Sequence, residues 1–350
     1  MDVTYNTEYG SYSMIKNDTF IAGEFAKGSH WEQEIIKLMI KIISGKNFNI
    51  INVGSHVGTT IIPLSKHANK VVCFEPQTKI YELLLKNIIQ NKAFNITAVK
   101  GVVCNSDIGK VSLSNKDHSG QVENEVSFNY GGVSIGKGGE LVDSYILDEF
   151  LPNFKLDLLF IDAEGSEDSV IESAHNLIIK NKPMILVEQN FMRVSEEVRS
   201  EFGMNTFTDI EYILMQCDYN IYFQLPDHNR LYLPLKGIKT LDKKLYKDSF
   251  NDVWEFSTEE DKSLYQLTNF RGPFNYAYID ESSIVVNFES EKLMLGVLNN
   301  NNIHWDNGTM WSLLDENNDP NYCKEISNIE EIISEIDQIP HCGTFDIIED

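Results

Sequence analysis

The sequence predicts an α/β fold in which helices flank a mostly parallel sheet. Short apolar runs alternate along the first 235 residues with segments whose apolar positions recur at helical spacing. Several of the runs are apolar at nearly every position, as expected of strands that are buried on both faces of a sheet. Alternating strands and helices are typical of parallel sheets with helical crossovers.

The first predicted strand covers residues 50–53, and apolar positions at helical spacing follow it over residues 57–68. A proline is tolerated in a helix only within the first turn. Because Pro63 lies in this segment, we expect the helix to begin near residue 59 or 60.

The same alternation continues through the next 130 residues or so. In chain order it gives a strand at 71–74, a helical face of Ile80, Leu84 and Ile88, a strand at 156–161, a helical face of Val170, Ala174, Leu177 and Ile178, and a strand at 184–187. The runs 219–223 and 230–233 are separated by a turn sequence, which predicts a final antiparallel hairpin.

Composition excludes several classes of protein. The 350 residues include 29 Lys and Arg against 53 Asp and Glu, a formal net charge of −24. Such a surface repels phosphate backbones and anionic headgroups, so we expect neither nucleic acid nor a membrane as partner. The five cysteines are scattered without a CxxC pair, which argues against a disulfide framework and a zinc site.

The predicted location is cytoplasmic. No apolar run approaches the roughly 20 residues that a membrane-spanning helix needs. The polar N-terminus lacks the basic and then apolar order of a secretory signal.

Charge also suggests a boundary near Gly237, because residues 236–350 carry 9 Lys and Arg against 23 Asp and Glu. We therefore predict a main domain over residues 1–236, in which 1–47 form an N-terminal cap segment. Residues 237–350 are predicted to form a smaller, acidic α+β domain.

The C-terminal domain offers fewer signals. Its apolar runs predict strands at 283–288 and 292–298, and isoleucines between 326 and 336 predict a late helix. Trp305 and Trp311 are interpreted as core side chains rather than as sugar-stacking ones.

The residues after the first two strands predict a nucleoside-binding site. Gly54 and Gly58 allow the chain to turn tightly and approach a ligand before the following helix. Their spacing is GxxxG rather than the GxGxxG of dinucleotide sites, so a nicotinamide enzyme is less favoured. Glu75 ends the second strand 21 positions after Gly54, where a carboxylate can accept hydrogen bonds from both hydroxyls of a ribose.

Acidic residues follow the later strands too. Residues 162–167 read Asp-Ala-Glu-Gly-Ser-Glu, and Glu188 and Asn190 follow the next strand. Acids at a helix N-terminus also stabilise the helix, because their negative charge interacts favourably with the helix dipole. That structural role suits Glu167 better than Asp162.

Four stretches resemble the FkbM-type methyltransferases, a branch of the class I S-adenosylmethionine-dependent enzymes. They are INVGSHVG at 51–58, VCFEP at 72–76, LDLLFIDAEGSE at 156–167 and ILVE at 185–188. Asp18 to Ile21 and Trp31-Glu32 are similar to the N-terminal segment of that family, so the resemblance extends over roughly residues 14–235.

The resemblance implies a Rossmann-like sheet of seven strands with an antiparallel last hairpin. It also implies S-adenosyl-L-methionine as the cofactor, with methyl transfer to oxygen on a sugar, a glycan or another small acceptor. We expect the cofactor-binding residues to be Asn52, Gly54, Ser55, Gly58, Glu75, Pro76, Val102 and Asp162.

The chain departs from the family at three positions. Asn52 stands where Asp is usual, and Ser55-His56 where Ala-Asn is usual. The missing acid would lie near a positively charged cofactor, so its loss favours weaker binding. Asn52 can still orient its neighbours, since an amide both donates and accepts hydrogen bonds.

Methyl transfer is an in-line displacement that depends chiefly on positioning, and an alcohol acceptor gains from a base that takes its proton. Asp162 and Glu164 are the first candidates for this base. His56 comes after them, with a purely packing role equally open. We predict no metal, although Asp162, Glu188 and Asn190 offer oxygen ligands for Mg²⁺.

Two other functions compete with this prediction. A cofactor-binding module that has lost catalysis would explain Asn52, and an NAD-dependent oxidoreductase could use the same kind of sheet. The glycine-rich residues 131–139 are interpreted either as a lid over the acceptor or as an ordinary surface loop.

Overall fold

The computed structural model describes residues 2–16, 18, 20–123, 128–189, 192–219, 221–234, 244–247, 253–258, 265–269, 272–280, 283–289, 292–299, 302–305 and 310–313. The chain divides into two compact units. The first comprises Met1–Cys217 and Pro226–Arg230, and the second Asp218–Leu225 and Leu231–Asp350.

A hairpin and two helices precede the main sheet: β1 (Asp2–Thr7), β2 (Gly10–Ile15), α1 (Ile21–Ala26) and α2 (Gln33–Ile43). The two strands pair antiparallel, with Thr4 opposite Ser13. In α2, every third or fourth residue is apolar and buried, from Ile35 to Ile43, so this helix packs one face on the core.

The elements that follow are β3 (Asn49–Val53), α3 (Ile61–Ser65), β4 (Lys70–Glu75), α4 (Thr78–Gln90), β5 (Ile96–Lys100), β6 (Val102–Val103), β7 (Lys110–Ser114), β8 (Gly138–Tyr145), α5 (Leu147–Phe150), β9 (Leu158–Ile161), α6 (Glu167–Ser173), α7 (His175–Asn181), β10 (Met184–Glu188), α8 (Glu196–Glu201), α9 (Ile210–Met215), β11 (Ile221–Gln224) and β12 (Asn229–Leu233). Pro63 lies in the first turn of α3, as predicted.

Seven of these strands form one sheet in the order β11-β12-β10-β9-β3-β4-β5. The pairs β10–β9, β9–β3, β3–β4 and β4–β5 are all parallel. Strands β3, β4 and β9 are buried almost throughout, which explains why their sequences are apolar at successive positions. The predicted Rossmann-like α/β fold is confirmed.

Strand order reverses between β3 and β9, since the chain runs outward from β3 through β4 to β5 and returns on the other side of β3. In open α/β sheets, ligands bind at such a reversal, beyond the carboxyl ends of the strands. A small second sheet, β6-β8-β7, lies in the chain between β5 and β9.

Three predicted segments differ in detail. The strand predicted at 156–161 begins only at Leu158. The apolar face from Val170 to Ile178 belongs to two helices that meet at Ala174, because the Asp148 carboxylate accepts hydrogen bonds from the main-chain amides of Asn176 and Leu177 and so starts a new helix there.

The glycine-rich residues 131–139 are not one continuous loop. Residues 130–132 form a single 3₁₀ turn, while Gly138 and Gly139 begin β8. A Cβ at Gly139 would lie 2.6 Å from the carbonyl oxygen of Leu113, so the missing side chain allows close strand contact.

The second unit contains the strands β13 (Lys244–Lys247), β14 (Val253–Thr258), β15 (Tyr265–Asn269), β16 (Gly272–Asp280), β17 (Ser283–Glu289), β18 (Lys292–Asn299), β19 (Asn302–Trp305) and β20 (Met310–Leu313). Neighbours in the chain pair antiparallel, and β20 pairs with β13, so the sheet closes on itself.

Strands β17 and β18 coincide with the predicted strands at 283–288 and 292–298. Trp305 is buried, as expected of a core side chain. The side chain of Trp311, the predicted helix at 326–336 and the predicted boundary near Gly237 lie outside the described residues.

Among the helices of the described residues, none combines the length and the apolar composition needed to cross a membrane.

Asn87 of α4 joins the N-terminal hairpin to the turn after β3. Its Oδ1 accepts a hydrogen bond from Ser13 N at 2.7 Å, and its Nδ2 donates to the carbonyl oxygens of Ser13 and Val57, both at 2.9 Å. The side chain is fully buried. Three main-chain polar groups therefore depend on one amide.

We expect Asn87→Ala to lower the free energy of unfolding by about 3 kcal/mol, because it leaves buried main-chain groups without partners. Chemical denaturation measures this loss. Asn176→Ala removes an exposed amide and is the control, with little expected effect. Equal stability of the two variants would contradict the assigned role of Asn87.

Candidate functional site

A cavity of about 480 Å³ opens at the strand-order reversal between β3 and β9. The strand ends contribute Gly54, His56, Glu75, Asp162, Glu164 and Glu188 to its wall. The N-terminal segment contributes Phe20, Ile21 and Trp31, and the region between β5 and β8 contributes Val102, Leu113, His118, Tyr130 and Ile135. The cavity is therefore built from distant parts of the first unit.

The turn after β3 depends on the absence of a side chain at Gly54. This residue has a positive φ of 82°, and a Cβ there would lie 1.7 Å from the carbonyl oxygen of Asp162. The main-chain nitrogens of Gly54 and Ser55 both donate to the Phe74 carbonyl oxygen, at 3.1 and 3.0 Å. The main chain thus forms the floor of the cavity where β3, β4 and β9 end.

Glu75, at the end of β4, lies directly beside this turn. Its Oε2 accepts a hydrogen bond from His56 N and its Oε1 accepts one from Gln77 N, both at 2.9 Å. The side chain is buried, and burial raises the pKa of Glu75 to about 7. Each carboxylate oxygen has a second lone pair, so further donors can still bind.

The other predicted cofactor residues fall into two groups. Pro76 and Val102 line the cavity, together with Gln77 and Gly101. Asn52, Ser55 and Gly58 do not line it.

Asn52, Ser55 and Gly58, which form the second group, stabilise the turn after β3 without lining the cavity. Asn52 Oδ1 accepts a hydrogen bond from the Ser55 hydroxyl at 2.6 Å. A Cβ at Gly58 would lie 2.7 Å from the Ile62 side chain and 2.9 Å from that of Leu84, so this glycine allows the turn to pack on α3 and α4.

Three carboxylates come together at the other end of the cavity. One oxygen each from Asp162, Glu164 and Glu188 lies within 4.8 Å of the other two. Burial and the neighbouring charges of Glu188 and Glu164 hold the pKa of Asp162 well above its usual range. Asp162 Oδ1 is shielded from solvent and accepts no hydrogen bond from the described residues.

This cluster could hold a divalent cation, but its ligands would differ from Asp162, Glu188 and Asn190, the set that the sequence suggests. Glu164 joins Asp162 and Glu188, because its positive φ of 50° places it in the left-handed turn after β9. Asn190 lies outside the described residues.

His56 lies between two acids. Its main-chain nitrogen binds Glu75, and its ring Nε2 is 3.4 Å from Asp18 Oδ2. Neither ring nitrogen is accessible to solvent, and neither makes a hydrogen bond with a described residue. The ring would have to turn before either nitrogen could reach an acceptor.

Sequence reasoning did not single out Glu32 as a site residue, although Trp31-Glu32 was part of the family resemblance. Its carboxylate accepts hydrogen bonds from Thr60 Oγ1 at 3.1 Å and Asn229 Nδ2 at 3.3 Å. Burial and the charge of Glu188 raise the pKa of Glu32 to about 7. The charge of Glu32 in turn raises the pKa of Asp162.

His118 was also missed, and nothing in its sequence surroundings marked it. Its Nε2 lies 3.1 Å from Glu164 Oε2, in the wall of the cavity. Burial lowers the pKa of His118, so the ring favours its neutral form beside that carboxylate.

The fold and the cavity define a Rossmann-like α/β protein with a cavity at the strand-order reversal. Residues 52–221 match the family model described as the methyltransferase FkbM domain. The family resemblance is thus confirmed over these residues.

Solved structures of several methyltransferases are similar to the chain. The methyltransferase FkbM of Methylobacillus flagellatus KT is 18% identical, with a TM-score of 0.35 over 53% of this chain and 43% of that one. Precorrin-6y C5,15-methyltransferase of Geobacter metallireducens GS-15 is 12% identical, with a TM-score of 0.31 over 58% and 87%.

A third structure, TYW2 of M. jannaschii in complex with AdoMet, is 14% identical, with a TM-score of 0.33 over 66% of this chain and 83% of that one. The chain spans less than half the length of the Methylobacillus protein. No curated protein sequence matches the chain.

Glu167 stabilises the turn that precedes α6. It is the first residue of α6, and its Oε1 accepts a hydrogen bond from Gly165 N at 2.9 Å, which holds the turn that carries Glu164. The side chain is buried, and burial raises the pKa of Glu167 to about 7.

Because this pKa is raised above its unfolded value, Glu167 favours folding at low pH, and the contribution is lost as the pH rises through 7. We expect Glu167→Gln to reduce the loss of unfolding free energy between pH 5 and pH 8 by about 2 to 3 kcal/mol. Denaturation at both pH values measures it, with the exposed Glu149→Gln as control. The same pH slope in wild type and Glu167→Gln would refute the assignment.

Proposed function

We propose that the protein transfers a methyl group from S-adenosyl-L-methionine to an oxygen atom of a small hydroxylated acceptor, such as a sugar or glycan. The observation that carries this proposal is the place of Glu75. Its carboxylate lies beside the turn at Gly54, in the wall of the cavity at the strand-order reversal. The FkbM domain over residues 52–221 supports the reaction type.

The residues of the cavity fit such a cofactor. Gly54 leaves the floor of the cavity without a side chain, and Glu75 offers lone pairs for two ribose hydroxyls. Pro76 and Val102 give an apolar wall on the same side, which suits an adenine ring. When bound, the cofactor supplies a methyl group on a positively charged sulfur.

The protein would contribute positioning and a proton acceptor. A hydroxyl that accepts a methyl group would have to lose its proton, so the residues around it would have to accept that proton. Asp162 and Glu164 line the cavity and can take that proton. Burial and the neighbouring carboxylates raise the pKa of Asp162, and a carboxylate of higher pKa is a stronger base.

We expect Glu75→Ala to weaken the binding of S-adenosylhomocysteine at least about 10-fold, because the carboxylate supplies two charge-assisted hydrogen bonds. Isothermal titration calorimetry measures it, and Glu149→Ala, which removes an exposed acid outside the cavity, is the control. Unchanged affinity in Glu75→Ala would reject the cofactor site. Binding of NADH in place of S-adenosylhomocysteine would favour the oxidoreductase.

We expect Asp162→Asn to keep the fold but to lower methyl transfer by about 10²-fold or more, since an amide cannot take the acceptor proton. The measurement is transfer of a radiolabelled methyl group to the components of a cell extract, compared with Glu149→Gln. A wild-type protein that binds S-adenosylhomocysteine but labels nothing would instead be the catalytically inactive binding module.

The acceptor, the absence of nucleic-acid and membrane partners and the cytoplasmic location all stay predictions.

A further inference from the structure

Trp31 lines the cavity from the short segment between α1 and α2. Its side chain is partly exposed. Among the described residues, none accepts a hydrogen bond from the indole N–H. Tryptophan combines a large apolar face with one polar group, and the polar group usually has a partner when the side chain is buried inside a protein. The indole of Trp31 is therefore available to a ligand in the cavity.

The residues on both sides of Trp31 are fixed by the segment that leads into α3. His30 is buried, and its Nε2 donates to the Thr59 carbonyl oxygen at 2.8 Å. The Glu32 carboxylate accepts a hydrogen bond from Thr60 Oγ1 at 3.1 Å. Glu32 also has a positive φ of 52°, a conformation that a residue with a side chain keeps only where its surroundings hold it there. The main chain at Trp31 is thus fixed in advance, which lowers the entropy cost of binding a ligand.

Trp31 lies toward the Glu188 end of the cavity. Its neighbour Glu32 accepts a hydrogen bond from Asn229 Nδ2 at 3.3 Å, and Asn229 begins β12. In the sheet, β12 is next to β10, which ends at Glu188, whereas β4 ends at Glu75. Three strand spacings of about 4.8 Å separate β10 from β4 by about 14 Å. A cofactor whose ribose lies at Glu75 and whose tail crosses the turn after β3 therefore leaves the surroundings of Trp31 to the acceptor.

Polar side chains line the cavity at the same end. They include Glu188 and the pair of Glu164 and His118, whose Oε2 and Nε2 atoms are 3.1 Å apart. A wholly apolar acceptor would remove water from these groups without replacing its hydrogen bonds, which is unfavourable. An aromatic face beside such groups suits a ring with C–H groups on one face and hydroxyl groups around its edge. A sugar in its pyranose form has both.

From these observations we infer that the acceptor is a sugar in its pyranose form and that Trp31 stacks on the apolar face of the sugar ring. This inference rests on the proposed methyltransferase function. It sets the acceptor apart from acyclic polyols, which have no ring face, and from planar aromatic alcohols, which have few hydroxyl groups.

Fluorine NMR of the full-length protein, labelled with fluorotryptophan and saturated with S-adenosylhomocysteine, tests the inference. The chain has four tryptophans, and the signal that Trp31→Phe removes belongs to Trp31. The probes are the methyl pyranosides of glucose, galactose, mannose and rhamnose, with mannitol as the acyclic polyol and catechol as the planar aromatic. We expect at least one pyranoside to shift the Trp31 signal more than mannitol and catechol do. No shift with any pyranoside, or an equal or larger shift with mannitol or catechol, overturns the inference.

Two substitutions separate the aromatic face from apolar bulk. Trp31→Leu keeps an apolar side chain without a ring and should weaken binding of that pyranoside about 10-fold, whereas Trp31→Phe keeps a ring and should weaken it less. Saturation-transfer NMR measures these affinities. Phe94→Leu removes an exposed aromatic side chain outside the cavity and is the control, with no expected effect. Equal affinity of the wild type and Trp31→Leu for the pyranoside would contradict the stacking contact.

Calorimetry with S-adenosylhomocysteine distinguishes failure of this inference from failure of the proposed function. Unchanged affinity in Trp31→Leu shows that the fold and the Glu75 end of the cavity are intact. If Trp31→Leu keeps its native circular dichroism but binds S-adenosylhomocysteine much more weakly, the indole contacts the cofactor and the inference is overturned. Failure of the wild type to bind S-adenosylhomocysteine would instead reject the proposed function.

Discussion

The site depends on the close contact between the main chain at Gly54 and the main chain at Asp162. Parallel pairing of β3 with β9 brings the two strand ends side by side, and Asp162 N donates to the Val53 carbonyl oxygen at 2.9 Å. No side chain larger than hydrogen fits at position 54. Because of this contact, one turn can carry the floor of the cavity while the acids of β4, β9 and β10 line its edge.

Burial then decides the chemistry of these acids. Glu75 receives two main-chain N–H groups, which stabilise a carboxylate, whereas Asp162 faces other carboxylates. One end of the cavity thus presents a carboxylate that already accepts two main-chain hydrogen bonds. The other end brings several carboxylates together. Glu75 and Asp162 therefore differ in behaviour because their surroundings differ, although both are carboxylic acids.

The sequence alone predicted the strands of the sheet, because the apolar pattern of a buried parallel strand is local. Runs such as 50–53 and 184–187 are apolar at every position or nearly so, and glycines and acids follow their ends at the expected places. The single helix predicted from Val170 to Ile178 was wrong for a non-local reason. The carboxylate that starts the second helix belongs to Asp148, about thirty residues earlier in the chain, and no periodicity reveals it.

The same distinction explains which site residues could be found. Glu75 and Asp162 stand at strand ends, so position alone marked them. Glu32 contributes through its contacts with Thr60 and Asn229, which are 28 and 197 residues away in the chain.

His118 reaches Glu164 from the segment between β7 and β8, where strand order gives no guidance. In a fold of this kind the sheet dictates where Glu75 and Asp162 lie. The wall of the cavity also includes segments outside the sheet, such as the one that carries His118, and those segments can change without disturbing the strand ends.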